Sequence, residues 1–416
     1  MIVVMSALTF DILEGCKNSA ARIGRVTTPH GTFDTPAFMP VGTQATIKGL
    51  MPGMVSDLGS QIILANTYHL MLRPGSPLIE ARGGLHKWMR WPAPILTDSG
   101  GYQVFSLAHI NTVSETGVIF SSHIDGATIK LTPARAIQTQ NELGGDIIMA
   151  FDDCPPAMTG LREQEDQTQL RGSSGPGAST ESVARVQQAC QRSVRWLDQC
   201  VDAHKRSHDQ ALFGIIQGGV DLDQRDWCLQ QVCSHDLPGF AIGGVSVGEG
   251  HEGIKKVVQH VAPKMPQAKP RYLMGVGYER DILVAVRAGI DMFDCVLPTR
   301  NGRNAYAFTS TGRIKLRNAR FADDPAPLDL ACDCPACGGG YSRSYLRHLF
   351  MSGEMLGPIL TSAHNIRHFQ RFLLDIRYAI AHNAWPLVQQ RWPTAFATDI
   401  PELPPELSPE VPSDSP

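Results

Sequence analysis

The chain has 416 residues, of which 43% are apolar and 19% charged, a balance that excludes a disordered or collagen-like polymer and suits an ordinary globular fold. Its formal net charge of −3 excludes no partner, because a nucleic-acid site needs only a local basic patch. Apolar runs fall short of the roughly 18 residues a membrane helix needs, and residues 1–10 lack the basic start and cleavage site of a secretory signal. A cytoplasmic protein with no membrane partner is expected.

In chain order, RIGRVTTPHGTFDTP from Arg22 reads as a pair of antiparallel runs. Eight short apolar runs follow, each ending in glycine or polar residues ahead of helical periodicity: AFMPVGT from Ala37, QIILANTY from Gln61, APILTDSGG from Ala93, DIIMAFDDC from Asp146, LFGIIQGG from Leu212, GFAIGGV from Gly239, RYLMGVG from Arg271 and MFDCVLPT from Met292. Near-continuous apolar strands alternating with helices are what a parallel sheet covered on both faces requires, and eight of them predict an α/β fold, a closed (β/α)8 TIM-type barrel. Between the third and fourth runs, VIFSSHIDGATIKLT from Val118 alternates and carries Asp125-Gly126, a hairpin signal. Residues 171–180, RGSSGPGAST, read as a flexible surface insert, and the Pro-rich acidic residues 401–416 as a disordered tail. The expected organisation is one barrel domain over residues 5–400, with an antiparallel decoration at its N-terminus and a zinc-binding subdomain inserted near its C-terminus, over residues 305–365.

A barrel of this kind places its chemistry at the carboxyl ends of the strands. The polar residues there are Asp98, Asp152, Asp153, Gln217, Gly243, Gly244 and Asp294, a set of carboxylates, one amide and bare backbone that suits a planar, hydrogen-bond-rich ligand such as a purine. Tyr102 and Met274 could supply its apolar faces. Two separated carboxylates can run glycosyl chemistry with retention, one attacking the anomeric carbon and the other moving the proton, and Asp98 and Asp294 are the candidate pair. The alternative stays open for each: Asp98 in DSGGY could cap a helix, and Asp152 and Asp153 could simply build the turn before Pro155 and Pro156.

Seven of the ten cysteines are scattered, but Cys332, Cys334 and Cys337 form C-x-C-x-x-C. Thiolates this close converge on one tetrahedral zinc ion when a fourth ligand arrives from elsewhere; His364 in TSAHN is the candidate and His348, beside Tyr345, the rival. Residues 299–320 carry Arg300, Arg303, Arg313, Lys315, Arg317 and Arg320 with no acidic residue, interleaved with Tyr306 and Phe308. That is either a solvated face or a phosphate-binding footprint abutting Asp294.

The strings ILTDSGGYQVFS, FDDCPP, GIIQGG, AIGGVSVGEG, YLMGVG, FDCVLPTRNGRNA and CDCPAC…TSAHN, in this order over residues 22–392, closely resemble bacterial tRNA-guanine transglycosylases, the queuine tRNA-ribosyltransferase family. The resemblance implies a homodimeric, cytoplasmic enzyme holding one structural zinc ion on Cys332, Cys334, Cys337 and His364. It implies that Asp294 displaces the wobble guanine of a tRNA anticodon loop and holds the ribose covalently, while Asp98 acts as acid and base toward an incoming 7-deazaguanine. The base site would be formed by Asp98, Ser99, Gly100, Gly101, Tyr102, Asp152, Gln217, Gly244, Val245 and Met274. The flanking nucleotides would meet Gly275, Val276, Gly277, Tyr278, Glu279, Arg280 and Asp281, and Thr299, Arg300, Asn301, Gly302 and Arg303. Most bacterial members read GGLAVGE where this chain reads GGVSVGE, which predicts modest tuning at Val245 and Ser246. Val247 and Cys154 keep the bulkier bacterial pocket, favouring 7-aminomethyl-7-deazaguanine over the larger queuine. Three rivals predict other features. An archaeal-like transglycosylase would carry an RNA-binding domain after the zinc module, a catalytically dead partner subunit would lack Asp98 or Asp294, and a glycoside hydrolase would show aromatic sugar platforms.

Overall fold

A computed structural model describes residues 7–107, 111–155, 180–246 and 248–397. Val247, the tail and all but the last residue of the 171–180 insert lie outside the described residues. Three antiparallel strands, β1 (Thr9–Gly15), β2 (Arg22–Thr28) and β3 (Gly31–Thr35), form the first sheet in the order β1-β2-β3. The first barrel strands are β4 (Ala37–Gly42), β5 (Ile63–Ala65) and β6 (Ile95–Thr97). A second antiparallel sheet interrupts them: β7 (Asn111–Ser114), β8 (Gly117–Ser121) and β9 (Thr128–Leu131). The barrel resumes with β10 (Ile147–Met149), β11 (Ala211–Ile216), β12 (Gly239–Ile242), β13 (Arg271–Leu273) and β14 (Met292–Cys295). All eight apolar runs are barrel strands; they pair in parallel, and β14 pairs with β4 to close the cylinder. A last hairpin, β15 (Tyr306–Thr309) and β16 (Gly312–Lys315), follows the barrel.

The twofold period of the strands sorts their side chains into two cores. Met39, Leu64, Leu96, Met149, Phe213, Ala241, Tyr272 and Met292 fill the barrel interior. Their neighbours Phe38, Ile148, Ile216, Ile242, Leu273 and Phe293 face outward into the layer covered by helices. Phe38, for instance, stacks on Phe369 at 4.8 Å, from the 27-residue helix Leu356–His382. Leu8, Val26 and Phe33 belong to the interior cluster, so the first sheet plugs the base of the barrel. There, the Arg22 guanidinium holds Asp291 through Nε and Nη2 at 2.9 and 2.7 Å.

Candidate active site

The same parity delivers functional groups to the mouth. Two residues beyond the inward-facing Leu96, Ile215, Ala241, Tyr272 and Met292 come Asp98, Gln217, Gly243, Met274 and Asp294, all on the lumen side of the strand ends. Asp152 does not follow this count, because β10 ends at Met149 and the chain turns Phe151 outward onto Trp196.

Asp98 is buried, and its carboxylate is held entirely by neutral donors. Oδ1 accepts from the Thr67 amide at 2.8 Å, and Oδ2 from Asn66 Nδ2 at 2.5 Å and Gln103 Nε2 at 2.8 Å. Thr67 Oγ1 also donates to the Asp98 carbonyl at 2.5 Å. Burial pushes the carboxyl up to about 6 against these hydrogen bonds, and the Asp294 charge across the mouth pushes in the same direction. Apart from Gln103, the partners of the carboxylate lie after β5, and one of them is the first amide of the helix Thr67–Leu72, so Asp98 meets a helix N-terminus other than that of its own DSGGY segment. Asp294 accepts from Tyr272 Oη at 2.5 Å and the Gly275 amide at 2.7 Å, and burial raises its pKa as well. Tyr272 lies within the field of both Asp294 and Asp98, which with burial holds its phenol protonated. The two aspartates thus face one mouth, with the tyrosine on β13, next to the strand of Asp294.

Asp152 and Asp153, adjacent in sequence, part company. Asp152 accepts from Ser99 Oγ at 3.0 Å and Gln217 Nε2 at 2.6 Å, and burial lifts it to about 6. Asp153 instead takes Arg185 at 2.6 and 2.9 Å together with Arg192, a structural cluster behind the site. Gln217 lies against a floor of glycine: a Cβ on Gly243 would stand 2.8 Å from Gln217 Nε2, and one on Gly244 would run into Oε1. Gly101 is equally tight, since a Cβ there would meet the Asp152 carbonyl oxygen at 2.8 Å. Gly100 adopts φ +79° and Gly244 φ +61°, the left-handed conformation that glycine takes without cost. Tyr102 is half exposed at the rim, Met274 partly buried, and Val245 and Cys154 buried. An amide, a carboxylate and glycine backbone converging beside an aromatic ring can read the edge of a planar base.

At the rim, the sequence-predicted nucleotide contacts divide. Gly275 offers its amide to Asp294, and Ser246 Oγ donates to the Gly275 carbonyl at 2.9 Å. Val276, Glu279, Arg280 and Asp281 are buried; Glu279 meets His368 Nε2 at 2.7 Å, and Asp281 meets His251. These side chains support the loop from behind. A Cβ on Gly277 would be 2.7 Å from Cys295 Sγ. Thr299, Asn301 and Gly302 are also buried, in the short helix Leu297–Arg303, whereas Arg300 is exposed and Arg303 half-buried. The positive charges of Arg300 and Arg303 both bear on Lys48. The interleaved aromatics are not a stacking platform: Phe308 is core, Tyr306 lies under Lys315 at 5.4 Å, and Arg313 covers Tyr278 at 5.2 Å.

The third group is a candidate metal centre. Cys332, Cys334, Cys337 and His364 bring their ligand atoms within 4.8 Å of one another. His364 Nδ1 lies 3.4 Å from both Cys334 Sγ and Cys337 Sγ. Tetrahedral bonds of about 2.3 Å to sulfur and 2.0–2.1 Å to nitrogen put such atoms about 3.5 Å apart, so the quartet fits a zinc-sized ion. Its other ring nitrogen, Nε2, donates to the Phe308 carbonyl at 2.7 Å, which fixes Nδ1 as the ligand atom. His348 stays outside, 6.4 Å from the Tyr345 ring. The helix carrying His364 also braces the rim: a Cβ on Gly302 would stand 2.7 Å from the Ser362 backbone, and Asn365 Nδ2 donates to the Pro298 carbonyl at 2.9 Å.

Sequence reasoning missed Asn66, Gln103 and Tyr272 as partners of the paired aspartates, and Arg225 beneath the glycine floor. Only Tyr272 had a readable signal, being two residues before Met274 in an inward register.

A closed parallel barrel with buried carboxylates at its strand ends defines a TIM-type enzyme. A family model described as queuine tRNA-ribosyltransferase matches residues 16–171 and 175–397. A queuine tRNA-ribosyltransferase of Acetivibrio thermocellus is 47% identical over 376 residues, covering 90% of this chain and 94% of that protein. One from Staphylococcus aureus is 47% identical, covering 90% and 93%. The chain belongs to the queuine tRNA-ribosyltransferase family.

Proposed function

We propose that this transferase exchanges the wobble guanine of a tRNA anticodon loop for 7-aminomethyl-7-deazaguanine by double displacement. The observation that carries the reading is the pairing of buried Asp98 with partly buried Asp294, each held by neutral donors, with the charge of Asp294 bearing on Asp98. Asp294 attacks C1′ of the ribose, the bond to guanine breaks as Asp98 gives the departing nitrogen a proton, and an ester joins enzyme and RNA. Asp98, whose carboxyl titrates near 6, then takes the proton from the incoming base, whose nitrogen attacks C1′ and expels the Asp294 carboxylate. The exchanged base has to leave the anticodon stack to reach this depth. Asp152, Gln217 and the Gly244 backbone read its edge, Ser99, Gly100 and Gly101 shape the turn beneath it, and Tyr102 and Met274 cover its faces. Val245 closes the pocket. The loop 275–278 and the helix Leu297–Arg303 hold the neighbouring nucleotides, with Arg300 and Arg303 meeting phosphate.

The Cys332, Cys334, Cys337 and His364 quartet holds zinc with no open position, so the ion is structural. It staples a subdomain over residues 305–365 to the barrel and keeps the short helix bearing Arg300 in place. No described helix is long and apolar enough to cross a membrane. Tyr341 and Tyr345, stacked at 5.7 Å, and His348, 6.4 Å from the Tyr345 ring, are the face offered to a second copy in a homodimer.

The test is incorporation of radiolabelled guanine into bulk tRNA. Uptake confined to the wobble position supports the reading, and no uptake, or uptake elsewhere in tRNA, refutes it. Metal analysis of the purified protein is expected to give about one zinc per chain, lost in His364→Ala together with much of the folding stability.

A further inference from the structure

The helix Leu222–Cys233, which follows β11, carries a guanidinium with no exposure at all. All its donor nitrogens go to backbone carbonyls: Arg225 Nε to Gly219 at 2.9 Å, Nη1 to Ile216 at 2.6 Å and Nη2 to Gly244 at 2.9 Å. Burying a cation against neutral acceptors is costly, so a residue that only needed to fill this space would be apolar. The three carbonyls share one property. Those of Ile216 and Gly219 bracket Gln217 on the loop after β11, and that of Gly244 lies on the loop after β12. The Ile216 carbonyl also accepts the Gly243 amide at 3.1 Å, which ties the two loops at the same atom. Gly218 is folded onto the arginine stem: a Cβ there would stand 2.8 Å from the Arg225 nitrogen and 3.0 Å from its Cγ and Cδ. One turn on, Cys228 Sγ accepts the Gln217 amide at 3.3 Å, so the same helix also holds Gln217 from below.

We propose that Arg225 is a positioning residue for base selection, fastening the Gln217 loop and the Gly244 loop into one preformed surface against which the base edge is read. The proposal rests on the reading of Gln217 and Gly244 as base-contacting groups. Only a planar fork can span three carbonyls on two loops; the ammonium of lysine, a point donor on a flexible stem, reaches them singly. Preformed loops bind without first being ordered, so loss of the fork weakens binding of the base rather than the chemical step.

The experiment is steady-state base exchange by the full chain, with KM for the incoming base, KM for tRNA and kcat determined separately. Arg225→Lys is expected to raise KM for the base about tenfold or more and to leave kcat within about threefold. Leu229→Ala, on the same helix and buried, loosens the packing without removing a donor, and it should lower the melting temperature with KM for the base unchanged. An unchanged KM in Arg225→Lys, or an equal rise in both variants, overturns the proposal. If the lysine variant does not fold, hydrogen exchange on the wild type decides: the amides of Gln217 and Gly243 should be protected already in the free protein. Fast exchange there that slows only on adding guanine would overturn it. A wild type that exchanges no base at all sinks the transglycosylase reading instead, and faster exchange of those two amides in Arg225→Lys than in the wild type still reports on whether Arg225 holds the loops.

Discussion

Both ends of the barrel bury aspartates, and the two ends partner them differently. At the base, Asp146 accepts from His30 Nδ1 at 2.8 Å, His86 Nε2 at 3.0 Å and the Ile95 amide at 2.8 Å, and Asp291 takes a two-pronged guanidinium from Arg22. The imidazoles, stacked at 3.5 Å, overcome the burial of Asp146 and hold it well below the ordinary carboxylate range; burial still lifts Asp291 in spite of Arg22. A single ion cannot lie in the planes of two parallel stacked rings, so this trio is a hydrogen-bonded clamp rather than a second metal centre. At the mouth, Asp98, Asp152 and Asp294 meet amides, hydroxyls and backbone N–H groups. Such donors fix direction without cancelling charge, and burial then brings Asp98 and Asp152 to about 6. The base locks its charges in place, whereas the mouth leaves protons exchangeable near neutral pH.

The comparison can be broken at its strongest point first. Asp294→Asn removes the oxygen proposed to attack, and base exchange should fall by roughly 10⁴-fold or more, with no denaturant-resistant RNA adduct on a gel. Retention of the adduct would remove Asp294 as nucleophile. Next in size is a contrast in stability. Asp146→Asn leaves two imidazoles without their carboxylate and should cost about 3–5 kcal/mol in denaturant unfolding. Asp152→Asn at pH 7.5 should be neutral or stabilising, and equal losses in both would erase the distinction between the two ends.

Tyr272→Phe takes one of the donors from Asp294; a charge-assisted hydrogen bond of about 1.5–3 kcal/mol corresponds to roughly a ten- to hundredfold drop in kcat, with the acid limb of the pH profile moved upward. An unmoved limb would make the tyrosine mere packing. The smallest effects are in the wild type's own pH dependence. Entry of the incoming base should slow as pH falls through about 6, because Asp98 must be ionised to take its proton. Stability runs the other way. The folded pKa of about 6 for Asp98 and Asp152 lies above the unfolded value of about 3.9, so their contribution is complete below that value and is lost as pH rises through 6. Asp146, with its folded pKa depressed, contributes above the unfolded value and loses that contribution as pH falls further. Unfolding free energies at pH 5 and 7.5 in Asp98→Asn, where the wild-type gain at pH 5 should shrink, check the assignment.

The strands were legible because a parallel strand buried on both faces must be apolar along its length, a local property of QIILA or DIIMAF. Parity then carried Asp98, Gln217 and Asp294 to the lumen from the same local pattern. The metal quartet was legible for a different reason: three thiolates within six residues have few uses besides a soft ion, and His364 proved to be the histidine within reach. The basic stretch was legible only as composition. Composition showed cations beside Tyr306 and Phe308, but the hairpin turns Phe308 into the core and sets Arg313 and Lys315 over tyrosine rings. Likewise Glu279 and Asp281 look like rim residues in sequence and are drawn inward by His368 and His251.

Sequence alone determined the architecture, the order of the strands and which residue types reach the mouth, since each follows from short-range periodicity that the chain carries in itself. Tertiary structure decided which partners each aspartate meets. Asp152 and Asp153 are indistinguishable as neighbours in FDDC, and only folding gives one the amide of Gln217 and the other the guanidinium groups of Arg185 and Arg192. A carboxylate's proton affinity is set by groups within a few ångströms, and in a closed barrel those groups arrive from strands and helices tens to hundreds of residues away.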